Sequence, residues 1–373
     1  MRRFRRFVKN NTLLFFRVSV ILFLFALICL LLSGINTGVA DFFNGTVSHA
    51  VRYALAKMTD ILPFSLGEAL LLVGLPTALI VLLVIVFCTR TRRCARRTLS
   101  FVLAVTLCVA SLHMLTLGVA YRTTKLDEKL GLTQDKVSAE ELKRVATVMA
   151  SELNAMVNDV TYGESGSSLM PYDTDELSEK ICRAYDAVEA HYGIFHNFTS
   201  RVKPVLFSRG MSYTHLIGVY SFYTGESNLN VDYPDYNFPC TTAHEFAHQR
   251  GIIRENEANF MAFLVCAASD DLYIRYSGYL NTYVYVANAL YSASPDDYRE
   301  VSSMLDERIR GELRAEQRHS AQYANNPVGN VAQKANDSYL KFNGTVEGSR
   351  SYGLVVDLTV AYYRDLWQTP NDN

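Results

Sequence analysis

Hydrophobic residues follow two contrasting patterns along the chain. Up to Tyr121 they form near-continuous blocks; beyond it they recur at helical spacing, or alternate, among charged residues. Three blocks approach or exceed the roughly 20 residues that a helix needs to cross a hydrocarbon core. They are 13–34 (LLFFRVSVILFLFALICLLLSG), 66–88 (LGEALLLVGLPTALIVLLVIVFC) and 99–121 (LSFVLAVTLCVASLHMLTLGVAY). Arg17 lies near one end of the first, where it can snorkel, Glu68 lies at the outer end of the second, and Pro76 is tolerable as a kink. His113, inside the third, is expected to face another helix or the interface. The first block is long and lacks a small-x-small cleavage site, which favours an anchor over a removable signal peptide.

Beyond Tyr121 the pattern is that of a folded α+β unit. Residues 122–136 read as a polar tether. Apolar spacing predicts a helix over 137–160, with Ser138 and Glu141 as a capping box, and a second over 174–195, with Thr174 or Asp175 near its cap. A loop at 161–173 separates them. Val, Ile, Tyr and Phe then alternate in part over 201–208 and 216–225, which predicts strands with a turn at 209–213. A loop at 228–240 leads into a helix carrying 241–250, and another helix follows at 255–269. A tyrosine-rich helix near 270–293, a charged helix over 295–322 and an apolar helix from about 350 to 367 complete the unit. The expected architecture is α+β. A membrane domain of three transmembrane helices (1–121) precedes a mostly helical domain (122–373) with a small antiparallel sheet.

Charge sharpens this division. The net charge of −1 conceals 13 Lys/Arg against 3 Asp/Glu in 1–121, and 23 against 34 in 122–373. The acidic second part argues against a nucleic-acid partner. Five basic residues lie in MRRFRRFVK and five in RTRRCARR, whereas 35–65 holds only Arg52 and Lys57. The positive-inside rule then puts the N-terminus and the Arg-rich loop in the cytoplasm of a multi-pass cell-membrane protein. The lipid bilayer is thus its first expected partner, and residues 122–373 are expected to be extracytoplasmic. Cys182, Cys240 and Cys266 are too few for a disulfide framework, although one bridge could form. Cys240 also precedes His244 by one helical turn, so it is either a thiol near that site or a small buried residue. The sequons at Asn44, Asn197, Asn336 and Asn343 carry no weight.

The chemistry concentrates in TTAHEFAHQRGIIRENEANFMAF, residues 241–263. His244 and His248 are four apart, so on a helix their imidazoles leave one face and can grip one ion. Glu245 is placed to act on a metal-bound water as general base. A zinc ion needs a third protein ligand. Gly251 gives the first helix a place to end and the chain a way to turn back. Arg254 stands where a metzincin (H-E-x-x-H-x-x-G-x-x-H) carries its third histidine, and arginine cannot ligate. Glu255 and Glu257 remain. Glu255 shares a helix face with Asn259, whose amide could orient a histidine, while Glu257 points about 200° away from Glu255, towards Met261. Glu255 is therefore favoured as ligand. Glu257 is the alternative, or else a salt-bridge partner of Arg250 or Arg254.

HEFAH followed by ENEAN resembles the paired H-E-x-x-H and E-x-x-A-D motifs of gluzincin metallopeptidases. Asn259 replaces the aspartate, and the step from His248 to Glu255 is unusually short. YSFYTGESNLN, PCTTAHEFAHQRGIIRENEANFMAFL and the three preceding apolar blocks together resemble a bacterial family catalogued as domain of unknown function 3810. Its members are membrane-anchored and similar to zinc peptidases. The resemblance implies a zincin-like fold, bound Zn2+ and a peptide or protein substrate cut by Glu-activated, zinc-bound water. In zincins the strand before the metal helix forms the cleft edge, a role open to 219–230 with Glu226, Asn228 and Asn230 at alternate positions. Tyr352 and His319 are candidate oxyanion donors. A catalytically silent zinc-binding sensor or scaffold is the rival expectation.

Overall fold

The computed structural model describes residues 2–88, 92–164, 166–342 and 352–368. The chain forms two compact units: Met1–Thr123 together with Ser221–Glu226, and Thr124–Tyr220 together with Ser227–Asn373.

In the first unit, three helices are long and apolar enough to cross a membrane: Thr12–Leu32, Leu66–Ile85 and Ala95–Arg122. This is compatible with a membrane protein. The second is interrupted by a π-helical turn, Leu70–Gly74, just ahead of Pro76. Proline has no N–H and its ring crowds the carbonyl four residues earlier, here Leu72, so the local widening has a covalent cause. At the start of that helix the Leu66 and Gly67 N–H groups donate to the buried carboxylate of Glu226 at 2.9 and 2.7 Å. An anion at a helix N-terminus satisfies free donors and complements the helix dipole. Arg52 is also fully buried, and donates to the carbonyls of Thr116 (3.1 Å) and Asn44 (3.0 Å). His113 meets the edge of Phe222 with ring centroids 5.4 Å apart.

The second unit is mostly helical. Helices Ala139–Met156, Thr174–Tyr192, Glu255–Ala267, Leu272–Ala293 and Tyr352–Gln368 contribute to one apolar core that includes Met149, Ile181, Phe260, Phe263 and Val286. The capping box at Ser138 and Glu141 is present. The next helix is capped one residue earlier than expected, by Asp173, whose carboxylate accepts from the Asp175 and Glu176 N–H groups. The segment 295–322 is two helices, Pro295–Met304 and Glu307–Gln322, because Leu305 is extended and Asp306 caps a new start. Helix Pro327–Phe342 had no counterpart in the apolar pattern.

The sheet corrects the expected antiparallel arrangement. Strands β1 (Val202–Pro204), β2 (Gly218–Ser221) and β3 (Glu226–Leu229) lie in the order β1-β3-β2. β1 runs parallel to β3, with Val202 opposite Ser227 and Pro204 opposite Leu229, so the sheet is mixed. The chain leaves β1 through a short helix, Ser208–Ser212, where a turn was expected. It then forms the far edge as β2 and returns between the two edges as β3.

One buried and one half-buried carboxylate pin the loop after helix Ala139–Met156. Glu312 accepts the Ser168 N–H at 2.9 Å, and Asp235 accepts the Met170 N–H at 3.0 Å. Burial pushes the Glu312 carboxyl up to about 7; the Ser168 hydrogen bonds oppose this, and Asp235 and Glu316 add to it. The native state therefore keeps a proton that the unfolded chain releases near 4.5, so this group's contribution to stability falls as pH rises from about 4.5 through about 7. Glu312→Gln should remove that fall. In melts of the full chain the variant is expected to gain about 1–3 kcal/mol relative to wild type between about pH 5 and about pH 8. Parallel pH profiles for the two proteins would contradict the assignment.

Candidate metal centre

The helix carrying the H-E-x-x-H sequence spans Asn237–Gln249 and starts inside the expected loop. Pro239 falls in its first turn, where a missing N–H costs nothing. Neighbouring elements fix this helix along its length. Ser277 Oγ accepts the Cys240 N–H at 3.0 Å, Tyr185 OH donates to the Ala243 carbonyl at 2.7 Å, and Ser227 Oγ donates to the Glu245 carbonyl at 3.1 Å. At its end Arg250 is buried. Its guanidinium donates to the carbonyls of Phe246 (3.1 Å) and Phe198 (2.7 Å) and lies over the rings of Tyr185, Phe198 and Phe246.

The helix ends in a Schellman motif. The Gly251 N–H bonds the His248 carbonyl at 3.0 Å, the Ile252 N–H bonds the Ala247 carbonyl at 3.0 Å, and Gly251 has φ +93°. The reversal brings the Ile252 carbonyl to 2.9 Å from His248 Nδ1. That contact makes Nδ1 the protonated nitrogen and leaves Nε2 as the electron-pair donor. Four residues after Gly251 the next helix begins at Glu255 itself.

Glu255 closes the constellation. Its Oε2 lies 3.3 Å from His244 Nε2, and its Oε1 lies 3.7 Å from His248 Nε2. The ligating atoms of all three residues fall within 4.8 Å of one another, and among the described residues this is the one such group. The donor set fits zinc. Tetrahedral bonds of about 2.0–2.1 Å put neighbouring donors about 3.3–3.5 Å apart, and the observed separations bracket that distance. Burial works against the Glu255 carboxylate, but the facing imidazoles outweigh it and hold its carboxyl well below the usual range. Burial likewise opposes a charged His248, yet Glu255 dominates and pushes it up to about 9.

Glu245 is buried beside this group. Burial raises its carboxyl, with His244, His248 and the Tyr220 backbone N–H working in the opposite direction. Its Oε2 has no hydrogen-bond partner among the described residues, which is unusual for a buried carboxylate. β2 passes so close that a Cβ on Gly218 would sit 2.5 Å from Glu245 Oε1 and 2.6 Å from Thr241 Cγ2. The ring of Tyr220 lies 6.5 Å from that of His248. Sequence reasoning missed the Gly218, Tyr220 and Ile252 contacts; a glycine within an apolar β stretch was the one available signal of close backbone approach.

Other expected roles fall elsewhere. Glu257 is buried but accepts from Arg254 Nη1 at 2.9 Å and from the Leu126 N–H at 3.2 Å, so it stands outside the cluster. Asn259 orients neither imidazole: His248 Nδ1 is taken by Ile252, and His244 Nδ1 has no partner among the described residues. The reason is that Glu255 opens its helix, so Asn259 lies a full turn beyond the site. The Cys240 thiol meets that of Cys266, away from the ligands, and Cys182, Cys240 and Cys266 are all free. His319 Nε2 lies 3.1 Å from Asp232, which also accepts from Tyr323 OH (2.6 Å) and Ser212 Oγ (2.9 Å); none of these bonds reaches Glu245. The side chain of Tyr352 lies outside the described ones. Glu226, Asn228 and Asn230 do not line a cleft edge. β3 is the central strand, and all three are buried with their side chains engaged.

A family model described as protein of unknown function (DUF3810) matches residues 43–360. No curated protein and no solved structure matches the chain.

The contact of Gly218 with the Glu245 carboxylate is directly testable. Gly218→Ala forces either β2 or Glu245 to move and should cost about 1–3 kcal/mol in melts of the full chain, as overpacking does. A variant as stable as wild type would mean that the close approach is absent.

Proposed function

The chain belongs to the DUF3810 family, and from that premise we propose that it is a membrane-anchored, zinc-dependent metallopeptidase with a gluzincin-like site. The observation that carries this reading is the convergence of Glu255 on both imidazole Nε2 atoms, with the buried, partly unsatisfied carboxylate of Glu245 one residue from His244. The order of elements supports a zincin-like description of the outer unit: a small sheet, then the H-E-x-x-H helix, then a helix that opens with a glutamate.

His244, His248 and Glu255 would hold the ion through two neutral nitrogens and one carboxylate oxygen. That set leaves a net positive charge and an open position, as catalytic rather than structural zinc sites do. Bound there, zinc supplies Lewis acidity and lowers the pKa of water. Glu245 accepts the proton from the attacking water and delivers it to the departing amine; its raised carboxyl suits both transfers. The Ile252 carbonyl keeps His248 in the tautomer that presents Nε2. Gly218 and the Tyr220 N–H hold Glu245 in place from the strand side. The basic residues at 2–9 and 90–97 support a cytoplasmic N-terminus and an extracytoplasmic catalytic unit, so the substrate would be a peptide or protein outside the membrane.

Metal content and hydrolysis of a broad peptide library, measured together, test the proposal. Wild type should carry about one zinc and cleave peptides; Glu245→Gln should keep the zinc and lose about 10²–10⁴-fold in rate. Glu255→Ala should lose zinc, and Glu257→Ala should retain it. Zinc retained without any cleavage by wild type would replace the peptidase reading with that of a sensor or scaffold. Zinc lost only in Glu257→Ala would overturn the ligand set.

A further inference from the structure

The second unit carries an exposed apolar surface that the metal centre does not use. Leu206 is 83% exposed, and Phe207, Tyr213 and Leu216 are also exposed. Hydrogen bonds gather these positions at one end of β3. Ser208 Oγ accepts the Val231 N–H at 3.0 Å, and Asn230 Nδ2 donates to the Leu216 carbonyl at 3.0 Å. Phe207 lies flat against its own helical turn because Gly210 has no side chain; a Cβ there would meet the ring at 1.9 Å. A second segment arrives at the same place. Asn326 Nδ2 lies 3.5 Å from His215 Nε2, and a Cβ on Gly329 would be 2.7 Å from that nitrogen. Helix Pro327–Phe342 thereby brings Val328 and Val331, exposed by 52% and 68%, to the residues around His215.

The two segments that form this surface are also free of acidic residues. Residues 122–373 carry 34 acidic and 23 basic side chains, yet 190–225 and 317–336 contain no Asp or Glu at all. These two acid-free runs are the ones that meet at His215. The Arg209 side chain, 89% exposed, pairs loosely at 3.8 Å with Asp232, whose other oxygen accepts from Tyr323, Ser212 and His319.

We propose that the patch formed by Leu206, Phe207, Tyr213, Leu216, Val328 and Val331, with Arg209, rests in the headgroup region of an anionic bilayer. Aromatic and aliphatic groups beside an exposed cation, carried on two runs of sequence without carboxylates, suit that environment, whereas the acidic remainder of the unit is repelled by it. The inference rests on the reading of the chain as membrane-anchored and is independent of any peptidase activity. The patch would add a second hold on the lipid and fix one face of the outer unit against the bilayer surface.

Tryptophan placed in the patch reports its surroundings, since the chain holds a single native Trp, Trp367. The full chain is reconstituted into phosphatidylcholine–phosphatidylglycerol vesicles with acyl chains brominated near their headgroup ends. Leu206→Trp and, independently, Val331→Trp should lose most of their added emission to the brominated lipid and little of it to aqueous acrylamide. Met304→Trp, at an exposed site outside the patch, should behave in the opposite way. Adding Arg209→Glu to Leu206→Trp should weaken lipid quenching in anionic vesicles but not in pure phosphatidylcholine. Acrylamide quenching of both patch tryptophans with no effect of brominated lipid would overturn the proposal, showing a surface that faces water. Flotation reports the anchor separately: a chain that does not float with the vesicles overturns the membrane reading and the patch with it.

Discussion

Six residues separate His248 from Glu255, and the candidate site depends on the chain reversing within them. An ordinary helix end would carry Glu255 away from the imidazoles. The left-handed turn at Gly251 sends the chain back at once, and the two hydrogen bonds of the Schellman motif fix the direction of that return. The same turn points the Ile252 carbonyl at His248, so one backbone device supplies both the third acidic group and the group that orients a histidine. Ala258, fully buried on the returning helix, allows the two helices to lie close. A residue with a Cβ at position 251 would strain this conformation, and any change there acts on the site through geometry rather than chemistry.

Electrostatics then divide the labour among three neighbouring carboxylates. Glu255 and Glu257 both sit in the first turn of their helix, where its dipole favours negative charge. Glu257 is neutralised by Arg254 and capped by the Leu126 N–H, which commits it to structure. Among the described residues Glu255 faces no cation but the two imidazoles, and that leaves it available to a metal. Glu245 differs again. Its surroundings disfavour charge, and one of its oxygens has no partner among the described residues, which suits a group that exchanges protons. Arg250 holds the C-terminal end of the histidine helix with carbonyls and aromatic faces rather than a carboxylate. It therefore contributes rigidity without taking an acid from the site.

Much of this was legible in the sequence because it rests on short-range periodicity. Long apolar blocks announced the membrane-length helices, the four-residue spacing placed the histidines on one face, and the 200° separation on a helix distinguished Glu255 from Glu257. What escaped depends on contacts between distant segments. β3 reads ESNL, with no apolar alternation, because its buried polar groups are satisfied from elsewhere: Glu226 by the N–H groups of Leu66 and Gly67, and Asn228 by the Val219 carbonyl. The parallel pairing of β1 with β3 could not be inferred from two apparent strands and a turn. Helix periodicity and its amide favour Asn259 as a histidine partner, but the place where the helix starts decides the matter. His319, a candidate oxyanion donor by sequence, has as its partners Asp232 and the aromatic rings of Tyr233 and Tyr323.

The central claim concerns which atoms surround a bound ion, and zinc K-edge absorption spectroscopy of the zinc-loaded, full-length protein tests it most directly. The account predicts two imidazole nitrogens at about 2.0–2.1 Å, a carboxylate oxygen at about 2.0–2.2 Å and no sulfur. The imidazole signal should fall by half in His244→Ala or His248→Ala. A sulfur neighbour at about 2.3 Å, or a spectrum unchanged by removal of either histidine, would contradict it.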